Sequence, residues 1–233
     1  MQTFATSPIE TIVNSVNGPT KTTYNRVIFD PIHKSVELTS LAASIIDTPE
    51  FKRLQHINQT GMCSMVFVGA EHSRFPHSIG VYHLAGEMIK GFQRRQPELN
   101  ITDRQVELIQ IAGLVHDLGH GFGSHFFDMF LAELKDRKGI CLSKNAQHET
   151  RSCNIFRWMV SKYDIALTEY EVTEVCDIIS PPVEKRSNYM YSIVANLNNE
   201  IDVDKFDYLK RDAYHIGLDH QFDCSRFIEC ARV

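Results

Sequence analysis

The fifteen residues from Leu114 to Asp128, "LVHDLGHGFGSHFFD", hold three histidines, two aspartates and three glycines. His116 and Asp117 follow an apolar helical run, and His120 and His125 come four and then five residues later. An imidazole nitrogen and a carboxylate oxygen suit a borderline or hard divalent ion such as Zn, Fe, Mn or Mg. Adjacent helical residues point about 100° apart, so both ligate one ion only when it sits over the edge between them. Two ligands hold a catalytic ion poorly, so others must come from elsewhere in the chain. His77, in "SRFPHSIG", begins a predicted helix, and Asp204 lies on the last strong one, in "EIDVDKFDYLKRD". Together they make a set H…HD…D, two imidazoles and two carboxylates from three helices. Such a set leaves coordination positions for water and a phosphate oxygen. A lone His-Asp dipeptide at a helix end is most often a surface pair. Here it is embedded in apolar sequence, and a second aspartate sits in an amphipathic helix.

The elements that must carry these side chains are mostly helical. "RVIFDPIHKSVEL" has two β-prone runs around Asp30-Pro31, which predicts a small hairpin. From Leu41 the apolar spacing is three and four: "LAASIIDTPEFKRLQHI", broken at Pro49, and then "SIGVYHLAGEMIKGF". Thr102 and Gln105 form a capping box that opens a helix apolar on most sides, hence central, and expected to stop near Gly119. "CNIFRWMVSKY" reads as a further helix; Thr168 with Glu171 opens another, closed by Pro181-Pro182. The last runs from about Ile201 to His215 and ends at Gly217. The class is all-α with a hairpin.

At 233 residues the chain suits one domain, or one domain with a tail. A net charge of −5 gives no basic excess to advertise nucleic acid, and pairs such as Lys210-Arg211 read as solvated faces. Cys63, Cys141, Cys153, Cys176, Cys224 and Cys230 form no CxxC and read as reduced, mostly buried thiols. The first 18 residues lack the pattern of a signal peptide, and no segment could span a bilayer. An intracellular protein without a membrane partner is expected. Residues 1–25, rich in Ser, Thr, Asn and Pro, read as a flexible lead-in.

"RFPHS", "HDLGHG", "SHFFD", "QHE" and "IDVDKFDYLKRD" occur in the order and approximate spacing of the HD-domain phosphohydrolases. The chain most resembles the SAM-and-HD-domain deoxynucleoside triphosphate (dNTP) triphosphohydrolases, and "DPIHKSVEL", "IIDTPEFKRLQHI" and "RFIECARV" agree with them in the flanks. The resemblance runs from about Val27 to Val233. It implies an all-α HD-domain bundle over residues 26–233, without a SAM domain and without the family's C-terminal lobe. The implied reaction is dNTP plus water to deoxynucleoside plus tripolyphosphate, which controls dNTP pools and serves antiviral defence. By the same resemblance His77, His116, Asp117 and Asp204 are metal ligands for one tightly bound Zn, Fe or Mn, with Mg accompanying the nucleotide. Arg74 and Lys205 hold the triphosphate. His125, with Asp128 a turn later, is the general acid for the leaving 5′ oxygen, and His120 and His148 lie near the phosphates. Gln59, Tyr208 and Asp212 contact the deoxyribose. The resemblance also implies a homo-oligomer in the nucleus, the cytoplasm or both, single-stranded nucleic acid as a partner, and GTP or a dNTP as activator at Asp47, Lys52 and Gln55. Two other readings stay open: a phosphodiesterase or nucleotidase acting on another nucleotide, and a truncated, catalytically impaired regulator that binds nucleotide or oligomerises.

The chemistry supports these roles independently. A divalent ion lowers the pKa of water and polarises a phosphoryl oxygen. Arg and Lys supply charge clamps for phosphoryl transfer. A histidine can protonate a leaving alkoxide at neutral pH, and an aspartate three residues on can fix its tautomer if the segment is helical. The glycines of "HGFGSH" need only a tight turn, and by resemblance they let the chain pass close to phosphates. His33, His56, His72, His83, His215 and His220 lie outside the motifs and read as structural or solvated. Three departures from the family stand out: Pro76 replaces a usual glutamate, Thr60-Gly61-Met62-Cys63 replaces leucine and three glycines, and Lys52 and Gln55 replace glutamine and arginine.

Overall fold

A computed structural model describes residues 24–138, 147–219 and 223–233. The predicted lead-in, residues 1–25, lies outside these except for its last two residues, which begin the first strand, and Cys141 and His220 also lie outside. Among the described residues the named elements are helical apart from one antiparallel hairpin, β1 (Tyr24–Asp30) and β2 (Lys34–Thr39), in the register Ile28 to Val36 and Asp30 to Lys34. Asp30 shapes the turn, accepting from the backbone N–H of Ile32 at 2.9 Å and of His33 at 2.8 Å. Thr39 then caps α1 (Ser40–Ile46), and Thr48 caps the short α2 (Pro49–Lys52), with Pro49 at its first position.

Two long helices form the centre. α3 (Arg74–Arg95) packs along α4 (Asp103–Val115), and the two helices bury Tyr82, Ile89, Ile109 and Ile111 completely in the core. Each such side chain contributes about 1.5–3 kcal/mol. Pro76 sits in the first turn of α3, where the backbone N–H has no partner within the helix, so it ends nothing and His77 lies one turn inside. Around this pair lie α5 (His125–Lys138), α6 (His148–Tyr163), α7 (Glu169–Ile179), α8 (Val203–Ile216) and α9 (Ser225–Cys230). α7 covers α4, and α8 crosses α3. Both capping boxes are closed in both directions. No helix of the described residues is long and apolar enough to cross a membrane.

α4 stops at Val115, four residues before the expected end, and His116 becomes its C-cap. The cause lies far away in sequence. The Arg53 guanidinium binds the carbonyls of His120, at 2.9 Å, and Leu118. These contacts hold the chain in turns where a continuing helix would need it straight. His116 and Asp117 are therefore presented from a helix end, not from a helix side.

Candidate active site

Three elements converge on the helix end. α3 brings His77, the C-cap of α4 brings His116 with Asp117, and the first turn of α8 brings Asp204. His77, His116 and Asp117 are buried. His77 Nε2 lies 2.9 Å from Asp204 Oδ1 and 3.5 Å from Asp117 Oδ2. His116 Nε2 lies 3.4 Å from Asp204 Oδ1 and 3.3 Å from Asp117 Oδ1. Ligand atoms of His77, His116 and Asp204 all fall within 4.8 Å of one another.

The tautomers follow from the partners. His116 Nδ1 donates to the Gly113 carbonyl at 2.7 Å, which leaves Nε2 as a lone pair, buried and without a hydrogen bond. His77 Nδ1 donates to Asp207 Oδ2 at 2.7 Å, so its Nε2 also faces the cluster. Burial disfavours an imidazolium at His77, yet the hydrogen bonds it donates to Asp204 and Asp207 push its pKa up to about 10. Burial likewise opposes charge on His116, and Asp117 followed by Asp204 outweighs it, raising the pKa. The seat thus favours positive charge, and its donor set of two imidazoles and two carboxylates fits a divalent transition ion.

Beside the seat stand the residues expected to meet phosphates. Arg74 binds Asp117, donates from Nε to Ser124 Oγ at 2.7 Å, and donates from Nη2 to the Gln59 carbonyl at 3.3 Å. The rings of His120 and His148 stack at 4.0 Å, with His125 4.8 Å from His120. Asp128 is helical, as expected, but its carboxylate turns to His148 Nδ1, at 3.0 Å, and to Arg151, not to His125. His125 faces solvent. Partial desolvation, then the positive charges of Arg74 and His148, lower its pKa. Lys205 follows Asp204, but its ammonium lies 3.3 Å from Glu200 Oε2, outside the cluster.

A cleft of about 440 Å³ joins Gln59, Tyr208 and Asp212, the residues expected at a sugar, with Arg74 and His125, expected at the triphosphate and as general acid, and Met62 and Cys63 line it too. Gln59 Oε1 is buried there without a partner. His72, read as structural, holds Asp212 Oδ1 at 2.6 Å. Asp47 lies apart. It lines a separate cleft of about 620 Å³ with Thr48, Arg104 and Tyr163, while Lys52 and Gln55 are exposed.

An HD-domain family model matches residues 74–212, a span that begins at Arg74, ends at Asp212 and encloses all four candidate ligands. The chain belongs to the HD-domain family. It is 39% identical over 231 residues to the deoxynucleoside triphosphate triphosphohydrolase SAMHD1 of Gallus gallus, covering 89% of this chain and 37% of that protein. The Homo sapiens protein of the same name is 40% identical over 230 residues (89% and 36%), and the Dictyostelium discoideum homolog 41% over 214 (90% and 40%). The chain therefore spans about two fifths of the length of these relatives.

The HD seat rests on a buried network that the sequence reading missed. Asp207, fully buried, receives His77 Nδ1, His33 Nε2 at 2.6 Å, and the Arg211 guanidinium through Nε at 2.8 Å and Nη2 at 2.9 Å. Arg211 also reaches Asp30 at 2.8 and 3.3 Å. Lys210-Arg211 is therefore not a solvated pair, because two carboxylates draw Arg211 wholly inside. His33, read as structural, belongs to the support of a ligand. The available signal was Asp204, Asp207 and Arg211 at helical spacings of three and four, one face of α8. Gly119 is similarly constrained: a Cβ there would lie 2.0 Å from the His148 carbonyl, so only glycine lets the start of α6 approach the HD turn. Ser152 fastens that approach, donating to the His116 carbonyl at 2.5 Å and accepting from Gly119 N–H at 2.8 Å.

This network yields a stability test. Asp207→Ala leaves Arg211 buried with half its partners, and breaking such a buried pair costs about 3–5 kcal/mol. Chemical denaturation should show a loss of that size. A loss below about 1 kcal/mol, the ceiling for exposed pairs, would mean that water reaches Arg211.

Proposed function

We propose that the protein is a metal-dependent dNTP triphosphohydrolase that releases a deoxynucleoside and intact tripolyphosphate, and that residues 26–233 form its HD-type domain. The observation that carries this reading is the junction of the HD seat, through Arg74, with the Gln59–Tyr208–Asp212 cleft. It supports a reading in which Arg74 clamps a polyanion between the metal seat and a cleft that takes the sugar. Relatives named for this activity lend support along most of this chain.

In this reading His77, His116, Asp117 and Asp204 hold the metal, which would supply Lewis acidity to a phosphoryl oxygen and acidify water. Arg74 turns part of its guanidinium from Asp117 to the phosphates. Water attacks the α-phosphorus, the bond to O5′ breaks, and His125 gives its proton to O5′. His148, aimed by Asp128, and His120 line the phosphate side. Lys205 joins the phosphates by leaving Glu200, an exposed pairing worth little. Tyr208 and Asp212 meet the sugar, with Asp212 steadied by His72. Met62 and Cys63 narrow the sugar cleft and set its preference.

Incubating the protein with a dNTP mixture and Mn or Mg, then resolving the products, tests the reading. Tripolyphosphate and deoxynucleoside are expected. Pyrophosphate or orthophosphate products would point to another HD phosphodiesterase or nucleotidase, and tight nucleotide binding without turnover to a regulator.

Regulation by GTP should be weak. Guanine presents two acceptors that a guanidinium answers bidentately, and Gln55 has neither the charge nor the reach. Asp47 is already engaged by Arg26, at 3.1 and 2.6 Å, with Lys52 Nζ 3.9 Å away. Loss of one bidentate contact weakens guanine preference by about 1–3 kcal/mol, roughly 5- to 150-fold. Hydrolysis rate and oligomeric mass across a GTP titration should therefore change little. Strong activation at micromolar GTP with assembly would defeat this expectation.

A further inference from the structure

The sugar cleft has two kinds of lining. Gln59, Arg74, Tyr208 and Asp212 present polar groups, whereas Met62, Phe126 and Met129 present apolar ones. These three are 48%, 56% and 68% exposed, so large apolar faces stand open at a single cleft. Two loops bring them together. Ser124 donates to the Asn58 carbonyl, and a Cβ on Gly61 would lie 2.9 Å from the Gly123 carbonyl, so the two loops touch. Phe126 follows at once, its N–H bound to the Gly123 carbonyl at 3.1 Å. Met129 lies three residues further, one turn along α5.

We propose that Phe126 and Met129 of α5, with Met62, form the wall that receives the base of the nucleotide. The inference rests on the function proposed above and deepens it, since the phosphate and sugar residues leave the base without a seat. A deoxynucleotide is divided as the cleft is: charged phosphates and a polar sugar on one side, a flat base with an apolar face on the other. An aromatic ring stacks on such a face, and thioethers adapt their shape to it. The wall meets the face of the base and leaves its edges unread. Thr60 Oγ1 already donates to the Ala70 carbonyl at 3.4 Å, and Ser124 Oγ is bound to Asn58 and Arg74. Cys63 offers only a weak thiol donor. His125, on the same helix, is assigned to O5′. Adenine and guanine should therefore bind alike, and purines more tightly than pyrimidines, because a purine presents the larger face.

The test uses the metal-loaded protein and dNTP analogues in which CH₂ replaces O5′, so that the bond to be cleaved is absent. Calorimetry should find the dATP and dGTP analogues bound alike, the dCTP analogue less tightly, and a base-free counterpart least. Phe126→Ala should lose roughly 5- to 150-fold in affinity for the purine analogues, the range of one base–aromatic stack. Its affinity for the base-free counterpart should match that of the parent. Phe126→Trp, which enlarges the ring, should bind the purine analogues at least as well as the parent. Phe126 lies outside the core and α5 buries none of its residues, so both variants should melt with the parent. A parent that binds the base-free counterpart as tightly as the purine analogues would overturn the wall, as would a Phe126→Ala protein that keeps the full preference for a base. A dimer that Phe126→Ala breaks, with nucleotide affinity indifferent to the base, would give the surface to a second copy of the chain and also overturn it. If Phe126→Ala abolishes base-dependent affinity and no dNTP is cleaved under any metal, the wall stands and the functional reading fails.

Discussion

Asp204→Ala protein, purified beside the parent, is expected to arrive without its transition metal and without hydrolytic activity. Asp204 stands against both imidazoles of the seat, 2.9 Å from His77 Nε2 and 3.4 Å from His116 Nε2. Its loss leaves two imidazoles and Asp117, which is already bound to Arg74. An incomplete shell binds weakly, because each remaining bond must order the ligands without the missing charge. His116→Ala should behave the same way. Asp207→Asn gives a graded control. It touches no ion but weakens the support of His77 Nδ1, and losses of this kind cost roughly 10- to 100-fold in metal affinity. Elemental analysis after desalting checks all three. Equal metal in the parent and the two ligand variants would show that the seat has been misassigned.

The contrast between Asp204 and Asp207 shows what the sequence made legible. Asp204 could be found because its chemistry answers a need, the partners missing from His116-Asp117. The hairpin was legible through Asp30-Pro31 and the helix starts through their capping boxes, all local signals. Asp207 could not be found the same way. Its role depends on His33 and on Arg211, which itself depends on Asp30, 181 positions away. The end of α4 was misplaced for the same reason, since Arg53 holds the His116–His120 turn from 65 and 67 residues upstream. Asp128 was correctly set on a helix beside His125 but assigned to the wrong histidine. Spacing along one helix brings two residues close; the approach of α6 decides which pair bonds. That approach depends on Gly119, whose need for glycine lies in a carbonyl 29 residues on.

The hairpin also acquires a function from this network. Asp30 fixes Arg211, Arg211 fixes Asp207, and Asp207 orients His77. Because all the intermediates are buried and charged, displacement of the hairpin would expose an unbalanced pair next to a ligand. The geometry of the seat and the docking of the hairpin are therefore one cooperative unit.

His125→Ala is expected to keep its metal and bind dNTP while losing turnover by roughly 10²–10⁴-fold, the usual contribution of a general acid. The side chain faces solvent beside Arg74 in the sugar cleft and ligates nothing in the HD seat, so its removal leaves the seat intact. Its pKa gives the assignment a second signature. In the free protein, partial desolvation, then Arg74 and His148, hold His125 below its ordinary value. An acid must be protonated to act, so activity is present at low pH and lost as pH rises through that pKa. A bound triphosphate brings several negative charges to the same place and favours the imidazolium. The alkaline limb of kcat, which reports the complex, should therefore lie at higher pH than that of kcat/KM, which reports the free protein. Both limbs should flatten in the alanine variant. Hydrolysis of an aryl triphosphate, whose phenolate leaves without a proton, should be far less impaired than dNTP hydrolysis. Equal losses on the two substrates, or an unchanged pH profile, would move the acid role to His148 or to water.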